Sequence, residues 1–500
     1  MQDYLTLEHK LEQYAPQIQK FRQEFPALNN FLIYFDNAAT SLRPQKVLDA
    51  FIHGFQLAGN VERSLHTEEL TTLVKQGQEA LYNYIFPQAS ACPQDFLHLT
   101  YTQNTTEALN LLAPTLGQFW YKQQQGQKPQ KYYLLVAQSN HHANILPWLK
   151  LAQTYNFLEI KTIPLKNNLT LDLDFLRDFC QKHAQQLLLI TLSSVDNVNG
   201  LIHPIGEIKS ILEQFSPHTW LALDNAQGSC FNHIYLQKNQ LQDNWPADFI
   251  VGSLHKMFGL TGIGYLTISQ RIAQLNKQSQ DLELLAKFFT LKEEIEQSSQ
   301  QTKSNNTLEH LNLPLNNHRL EHQWVGGGFV KSVDLETANY NLQPTNPFLI
   351  AGTPNINSLV TVKANIDWLN SLPLEDFYSY THLLQQYFIS KLAQLPQVAD
   401  FSRSLNIVQD LANKTQDVVI LPCTGHHILI NIEDGLDIDL GMFLAQHNIS
   451  ARVGKHCAYP YHDFLGLDST LRFSLAPFNT KEEVDYTINL IAQFLNDNLD

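Results

Sequence analysis

Short, unbroken apolar runs alternate along the chain with polar clusters and helical patterns. FLHLTYT (96–102) leads into Asn104-Thr-Thr-Glu and the apolar pattern ALNLLAPTL, and KYYLLVA (131–137) leads into QSNHHAN. LLLITL (187–192) precedes SSVDNVNG, WLALD (220–224) precedes NAQG, and ADFIVG (247–252) precedes Ser253-Leu-His-Lys. Runs of this length, apolar at successive positions, predict strands buried on both faces. With helices between them, they predict an α/β architecture built on a mostly parallel sheet covered on each side. Ligands of such sheets collect beyond the carboxyl ends of the strands. Each polar cluster falls at one of those ends.

Two stretches break the pattern. YKQQQGQKPQKYY (121–133) predicts a polar surface loop, and 270–322 is a long Gln/Asn-rich insertion carrying one helical pattern. After about residue 358 the chain turns helical (LVTVKANIDWLNSL, FYSYTHLLQQYFISKLAQL). Short strands HHILINI (426–432) and ISARV (449–453) follow, then the helical KEEVDYTINLIAQFL. The expected division is an arm over 1–33 packing with the small domain, a large domain over 34–358 interrupted at about 270–322, and a smaller α+β domain over 359–500.

Composition narrows the classes of function. Of 500 residues, 44% are hydrophobic, enough for a real core, and the formal net charge of −15 argues against nucleic acid or an anionic membrane as a general partner. The polar start MQDYLTLEHK has no apolar signal core, and no run approaches the ~18 apolar residues of a membrane span. Five scattered cysteines (Cys92, Cys180, Cys230, Cys423, Cys457) form no CxxC pair, which points to a reducing cytoplasm. No His/Cys cluster has zinc spacing, so no metal is expected.

The candidate chemistry lies in the polar clusters. Lys256, at a strand end beside Ser253 and His255, is suited to a Schiff base with an aldehyde cofactor, or is a surface lysine. Asp224 closes a buried run, where a carboxylate needs a partner. A protonated pyridine nitrogen would serve, with Gln227 reaching the ring oxygen, and a helix N-cap would serve equally. Asn104 and Glu107 have capping-box spacing, and the same helix start makes Thr106, with Ser253 and His255, a candidate phosphate site. His141 and His142 suit either ring stacking with proton shuttling or an ordinary polar loop. Cys457 sits in Arg452-Val-Gly-Lys-His-Cys-Ala-Tyr-Pro, where Lys455 and His456 would favour the thiolate if close in space. Arg472 is the candidate clamp for a substrate carboxylate.

Taken in order, these segments resemble the class V aminotransferase-fold enzymes that use pyridoxal phosphate, most of all the Suf-like second group of cysteine desulfurases. The resemblance spans about Tyr34 to Leu490. It rests on Phe35-Asp-Asn-Ala-Ala-Thr, Arg63-Ser-Leu-His-Thr, Asn104-Thr-Thr-Glu-Ala-Leu-Asn, His141-His-Ala-Asn-Ile-Leu-Pro-Trp, Asp224-Asn-Ala-Gln and Ser253-Leu-His-Lys. Thr261-Gly-Ile-Gly, Gly326-Gly-Gly, Ala351-Gly-Thr-Pro-Asn, Gly454-Lys-His-Cys-Ala and Arg472-Phe-Ser complete it. It implies the aspartate-aminotransferase-like fold of pyridoxal-phosphate transferases and a homodimer.

It also implies roles. Lys256 would hold pyridoxal 5'-phosphate, Asp224 its ring nitrogen and Gln227 its ring oxygen, with His141 stacked on the ring. Thr106, Ser253 and His255 would bind the phosphate, with Thr353 reaching it from the second subunit. Asn197 and Arg472 would hold the substrate carboxylate. Cys457 would take sulfur from L-cysteine as a persulfide, leaving alanine, and pass it to a sulfur-acceptor protein, often for iron–sulfur cluster assembly. The alternative on the same fold is a selenocysteine lyase or another pyridoxal-phosphate lyase or aminotransferase. This chain departs from the family at Asn140, Asn225, Leu254, Lys455 and Phe473 and in the length of 270–322, which marks a divergent branch.

Overall fold

The computed structural model of the chain describes residues 4–30, 32–57, 59, 67–86, 99–124, 130–232, 247–269, 330–336, 339–342 and 353–499. The insertion expected at 270–322, the Arg63 and Gly326 motifs, and Cys92 lie outside them.

The large layer is a seven-stranded sheet. Its order is Leu99–Thr102, Gly264–Ile268, Phe249–Ser253, Trp220–Asp224, Leu187–Ser193, Tyr132–Ala137 and Leu158–Ile163. All neighbours are parallel except Gly264–Ile268, which is antiparallel to both strands beside it. The alternation of side chains explains why the strands read as continuous apolar runs. Leu134 and Val136 enter one core with Leu189, Ala222 and Val251, beneath the Thr105–Gln124 and Leu146–Thr154 helices. Leu135, Ala137, Ile190, Leu192, Leu221 and Leu223 enter the other. That second core includes Leu176 and Cys180 of the Leu173–His183 helix, and Ile208 and Ile211 of the Ile205–Phe215 helix.

The polar loop expected at 121–133 is shorter than its composition suggests. Residues up to Gln124 continue the Thr105–Gln124 helix, and Tyr132 already belongs to a strand.

The smaller sheet has the order Val398–Asp400, Val418–Ile420, His427–Ile432, Thr470–Ser474 and Arg452–Gly454. Helices Leu374–Leu392, Leu436–Gln446 and Lys481–Asn498 accompany it. The last begins with a full capping box, Thr480 with Glu483. Arg22, at the end of the Tyr4–Arg22 helix, pairs with that Glu483 at 2.7 Å, and Lys481 reaches back to Glu8 at 2.8 Å. The Thr361–Asn370 helix instead lies against the Gln45–Gln56 and Glu68–Ile85 helices of the large layer.

One segment joins the two sheets. Ile33–Tyr34 pairs in parallel with Ile449–Ser450, and Ser474 donates its amide to the Phe35 carbonyl at 2.6 Å. Six residues on, the Ser41 amide and hydroxyl both bond the His255 carbonyl, at 2.7 and 2.8 Å. Residues 33–41 therefore cross from the small sheet to the carboxyl ends of the large one, where the polar clusters lie.

Candidate active site

Strand register assembles the site. In the parallel ladder Asp224 stands beside Ser193 on one side and Val251 on the other, so all three strands finish at one edge. Asp224 is buried, and burial raises its pKa against the opposing pull of the Ala226 amide and of Lys256. The Ala226 amide donates to its Oδ1 at 3.0 Å, and its Oδ2 has no hydrogen bond among the described residues. Both readings open in the sequence thus meet here: one oxygen closes a turn and the other remains available.

Lys256 lies just beyond the next strand. Burial lowers its ammonium to about 8, with Asp224 and Cys457 opposing the shift and Arg472 and Arg452 adding to it. Among the described residues its amine makes no hydrogen bond or ion pair, so the neutral, nucleophilic form is unusually accessible. His141 caps the short His142–Asn144 turn, its Nδ1 accepting from the Ala143 amide at 3.1 Å. Burial, reinforced by Lys256, pushes it down to about 3. It is a neutral ring with its hydrogen on Nε2, suited to lie against a flat partner.

The helix start holds a hydroxyl pair. Ser253 Oγ accepts from the Thr105 amide at 2.8 Å and lies 2.6 Å from Thr105 Oγ1. A Cβ at Gly264 would lie 2.6 Å from the Asn104 backbone, so glycine there lets the helix come this close. Thr105, missed in the sequence, is the inward threonine, whereas Thr106 is exposed on the first turn. Only half of the expected capping box forms: Asn104 Oδ1 accepts from the Glu107 amide at 2.9 Å, but the Glu107 carboxylate accepts from the amide of Gln103, one residue before the cap. His255 is pushed down to about 4, first by burial. Gln227 donates its amide to the Ala38 carbonyl at 2.8 Å, and both residues line a cavity with Lys256, Phe231 and His427.

Arg472 is buried to 2% exposure on the middle of a small-sheet strand. Its NH1 donates to the Asn197 carbonyl at 2.6 Å and its NH2 faces Asp36 at 3.5 Å, while Nε is buried without a partner among the described residues. Burial lowers even this guanidinium to about 10, despite Asp36 and Asp196. Such a group is under-compensated, and a carboxylate ligand would complete it. Asp36 also grips Arg452 through both oxygens, at 2.7, 3.1 and 3.2 Å. Asp36 could have been suspected from sequence, because like Asp224 it closes an apolar run, FLIYF. The Asn197 amide donates to the His456 carbonyl at 2.8 Å, and its Oδ1 is buried without a hydrogen-bond partner among the described residues.

Cys457 is exposed, and the three other described cysteines are buried. Its loop is tied to His142. The His142 amide donates to the Cys457 carbonyl at 2.7 Å, and the Tyr459 amide donates to His142 Nε2 at 3.1 Å. His456 and Cys457 both take left-handed backbone, φ 47° and 56°, a conformation costing about 1–3 kcal/mol each for such residues. Of the two basic neighbours expected for the thiol, one is uncharged and the other is paired. Burial pushes His456 down to about 2, so it is neutral, and Lys455 is turned to Asp463 at 3.2 Å. Thr353 is exposed ahead of the Ile356–Leu359 helix.

The departures noted in the sequence are absorbed into packing. Asn225 bonds Ser194 at 2.6 Å and Asn232 at 3.0 Å, and Asn140 accepts from the Ser193 amide at 3.0 Å. Leu254 and Phe473 are fully buried.

Residues 33–310 and 316–487 match the family model described as aminotransferase class-V. A protein of Haemophilus influenzae named probable cysteine desulfurase is 30% identical over 474 residues, covering 94% of this chain and 87% of its own. One of Serratia proteamaculans named cysteine desulfurase is 28% identical over 478 residues, covering 94% and 96%. The crystal structure of a cysteine desulfurase from Escherichia coli is similar in fold, with a TM-score of 0.70 at 23% identity over 96% of this chain and 98% of that one.

Proposed function

The chain belongs to the aminotransferase class-V family, and from that premise we propose that it is a cysteine desulfurase that uses pyridoxal phosphate and collects sulfur on Cys457. The carrying observation is the clamp that ties the exposed Cys457 loop to the His141–His142 turn, together with the Lys256 amine, which has no hydrogen-bond or ion-pair partner among the described residues. A scaffold with no sulfur to accept has no evident use for a strained, exposed thiol there.

The residues fit the cofactor. Lys256 offers an amine of lowered basicity, Asp224 a carboxylate oxygen without a hydrogen-bond partner, and His141 a neutral ring face. Ser253, His255 and Thr106 surround a helix start suited to phosphate, with Thr105 inward beside Ser253. Gln227 would face the ring oxygen. When bound, pyridoxal phosphate supplies an aldehyde that captures an amino acid and a ring that withdraws electrons from it.

The chain does the rest. Arg472, with Asn197 beside it, holds the carboxylate of L-cysteine and so points its side chain at the Cys457 loop. Asp224 would hold the ring nitrogen of the bound cofactor and favour its protonated form. The Lys256 amine, freed by substrate, takes the proton from Cα. The Cys457 thiolate attacks the substrate sulfur. A sulfur–sulfur bond forms, the Cβ–sulfur bond breaks with its electron pair left on Cβ, Cβ takes up a proton, and Lys256 returns the proton to Cα to give alanine.

The enzyme is further proposed to act in the cytoplasm as a homodimer. The exposed Thr353 of one subunit would reach the phosphate of the other. The persulfide would pass to an acceptor protein, for iron–sulfur cluster assembly. The test is the purified protein with L-cysteine, reductant and pyridoxal phosphate: alanine and sulfide should appear in equal amounts. Cys457→Ala should keep the visible absorbance of the cofactor and lose sulfur transfer. Normal transfer in that variant would move the assignment to a lyase of the same fold, such as one acting on selenocysteine.

A further inference from the structure

We propose that a hydrogen-bonded chain from His456 through Thr470 and His462 to the Ala458 carbonyl holds the Cys457 loop in its left-handed shape, making Thr470 a positioning residue for the thiol. This rests on the reading of Cys457 as the sulfur-accepting group.

The direction of every hydrogen in the chain follows from its last member. His462 Nδ1 lies 3.1 Å from the Ala458 carbonyl, which can only accept, so Nδ1 carries the hydrogen. Burial holds the ring below its ordinary pKa, so it is neutral and its Nε2 is bare. That nitrogen accepts from Thr470 Oγ1 at 3.1 Å. The single hydroxyl hydrogen is then committed, and Thr470 Oγ1 accepts from His456 Nε2 at 2.9 Å. His456 Nδ1 is left without hydrogen, in keeping with its buried position and lack of a partner.

Location gives the chain its purpose. It starts one residue before Cys457 and ends one residue after it, bracketing the two left-handed positions. Strained backbone of this kind persists only where the surroundings over-determine it. His456 is 8% exposed, and His462 and Thr470 are fully buried, so water does not compete for these bonds. Thr470 pairs with Gly454 across the sheet and stands two residues before Arg472 on the same strand face. The same strand therefore sets both the thiol loop and the carboxylate clamp.

Thr470→Val keeps the shape and removes the hydroxyl, and Thr470→Ser restores it. In the cofactor-loaded protein, Thr470→Val should lower kcat for alanine formation roughly tenfold or more, because small misplacements of a reacting group are costly. KM for L-cysteine should stay within about twofold, since Arg472 is untouched. Trypsin should cut after Lys455 several-fold faster than in the parent protein, and Thr470→Ser should return both readings. A Thr470→Val protein with parental kcat and parental cleavage, or with a raised KM alone, would overturn the proposal. Should Thr470→Val not fold, nitrogen NMR of the parent protein labelled with [15N]histidine decides. His462 should carry its hydrogen on Nδ1 and His456 on Nε2, and a shared tautomer would overturn the chain. A parent protein that makes no alanine from cysteine would instead defeat the desulfurase reading, leaving cleavage and tautomers to judge this one.

Discussion

The most quantitative expectation concerns the Lys256 amine before any cofactor binds. Burial brings it to about 8 from 10.5, and the positive charges of Arg472 and Arg452 act in the same direction. Near pH 7 such an amine is ~10% neutral, against ~0.03% for an ordinary lysine, an advantage of roughly 300-fold for attack on an aldehyde. The opposing contribution comes chiefly from Asp224. Asp224→Asn should therefore move the amine further below 8 and make it more reactive at neutral pH, even as it weakens cofactor binding. Because the native value lies below the unfolded one, the unfolded chain binds more protons between about 8 and 10.5. This group's contribution to stability therefore rises with pH across that window. Trace acetylation of cofactor-free protein with isotope-labelled acetic anhydride measures the amine directly. The Lys256 peptide is quantified against that of the exposed Lys150 from mildly acidic to alkaline pH. A Lys256 midpoint near 10.5, or an upward shift in Asp224→Asn, would refute the electrostatic account of the site.

Three further outcomes are expected. Arg472→Lys should raise KM for L-cysteine about 30-fold or more, because losing forked donors to a carboxylate costs about 2 kcal/mol or more; steady-state kinetics with unchanged KM would remove Arg472 from substrate binding. Asp36→Asn should lower the melting temperature by a few degrees. The half-exposed Arg452 pair contributes little, but the buried Arg472 loses a counter-charge worth about 1–3 kcal/mol; a melt unchanged from the parent would show that Asp196 alone suffices. Leu254→Gly, which restores the residue usual in the family, should destabilise this chain by about 3 kcal/mol or more, since Leu254 is fully buried. Equal melting temperatures would mean that the core closes over the gap.

Strands buried on both faces were legible because most of their successive positions are apolar, and all five runs singled out in the sequence fall on strands of the large sheet. The edge strand Leu158–Ile163 was not, because its middle positions are partly exposed and include Glu159 and Lys161. The Gly264–Ile268 strand was also missed, although its neighbouring glycine-rich turn was noticed. Its antiparallel direction becomes visible only when it slots between Leu99–Thr102 and Phe249–Ser253.

The site divides in the same way. Asp224, Lys256 and His141 stood out locally, as polar groups at the ends of apolar runs. Thr105, Thr470 and His462 gave no comparable alarm. Thr105 looked like its neighbour Thr106, and only the approach of Ser253 across the sheet distinguishes them. The charge expected on His456 was wrong for the same reason: adjacency in sequence placed it beside the thiol, whereas folding turned its ring into the interior.

By itself, then, the sequence determined the alternation of strands and helices, the edge at which ligands gather, and the chemical types present there. These are local properties, set by the burial of each residue relative to its near neighbours along the chain. The tertiary structure alone decided that Asp36 links Arg452 to Arg472 and that the Cys457 loop is clamped onto His142. Each depends on groups tens to hundreds of residues apart being brought within hydrogen-bond reach. Residues 33–41, which join the small sheet to the large one, hold them together there.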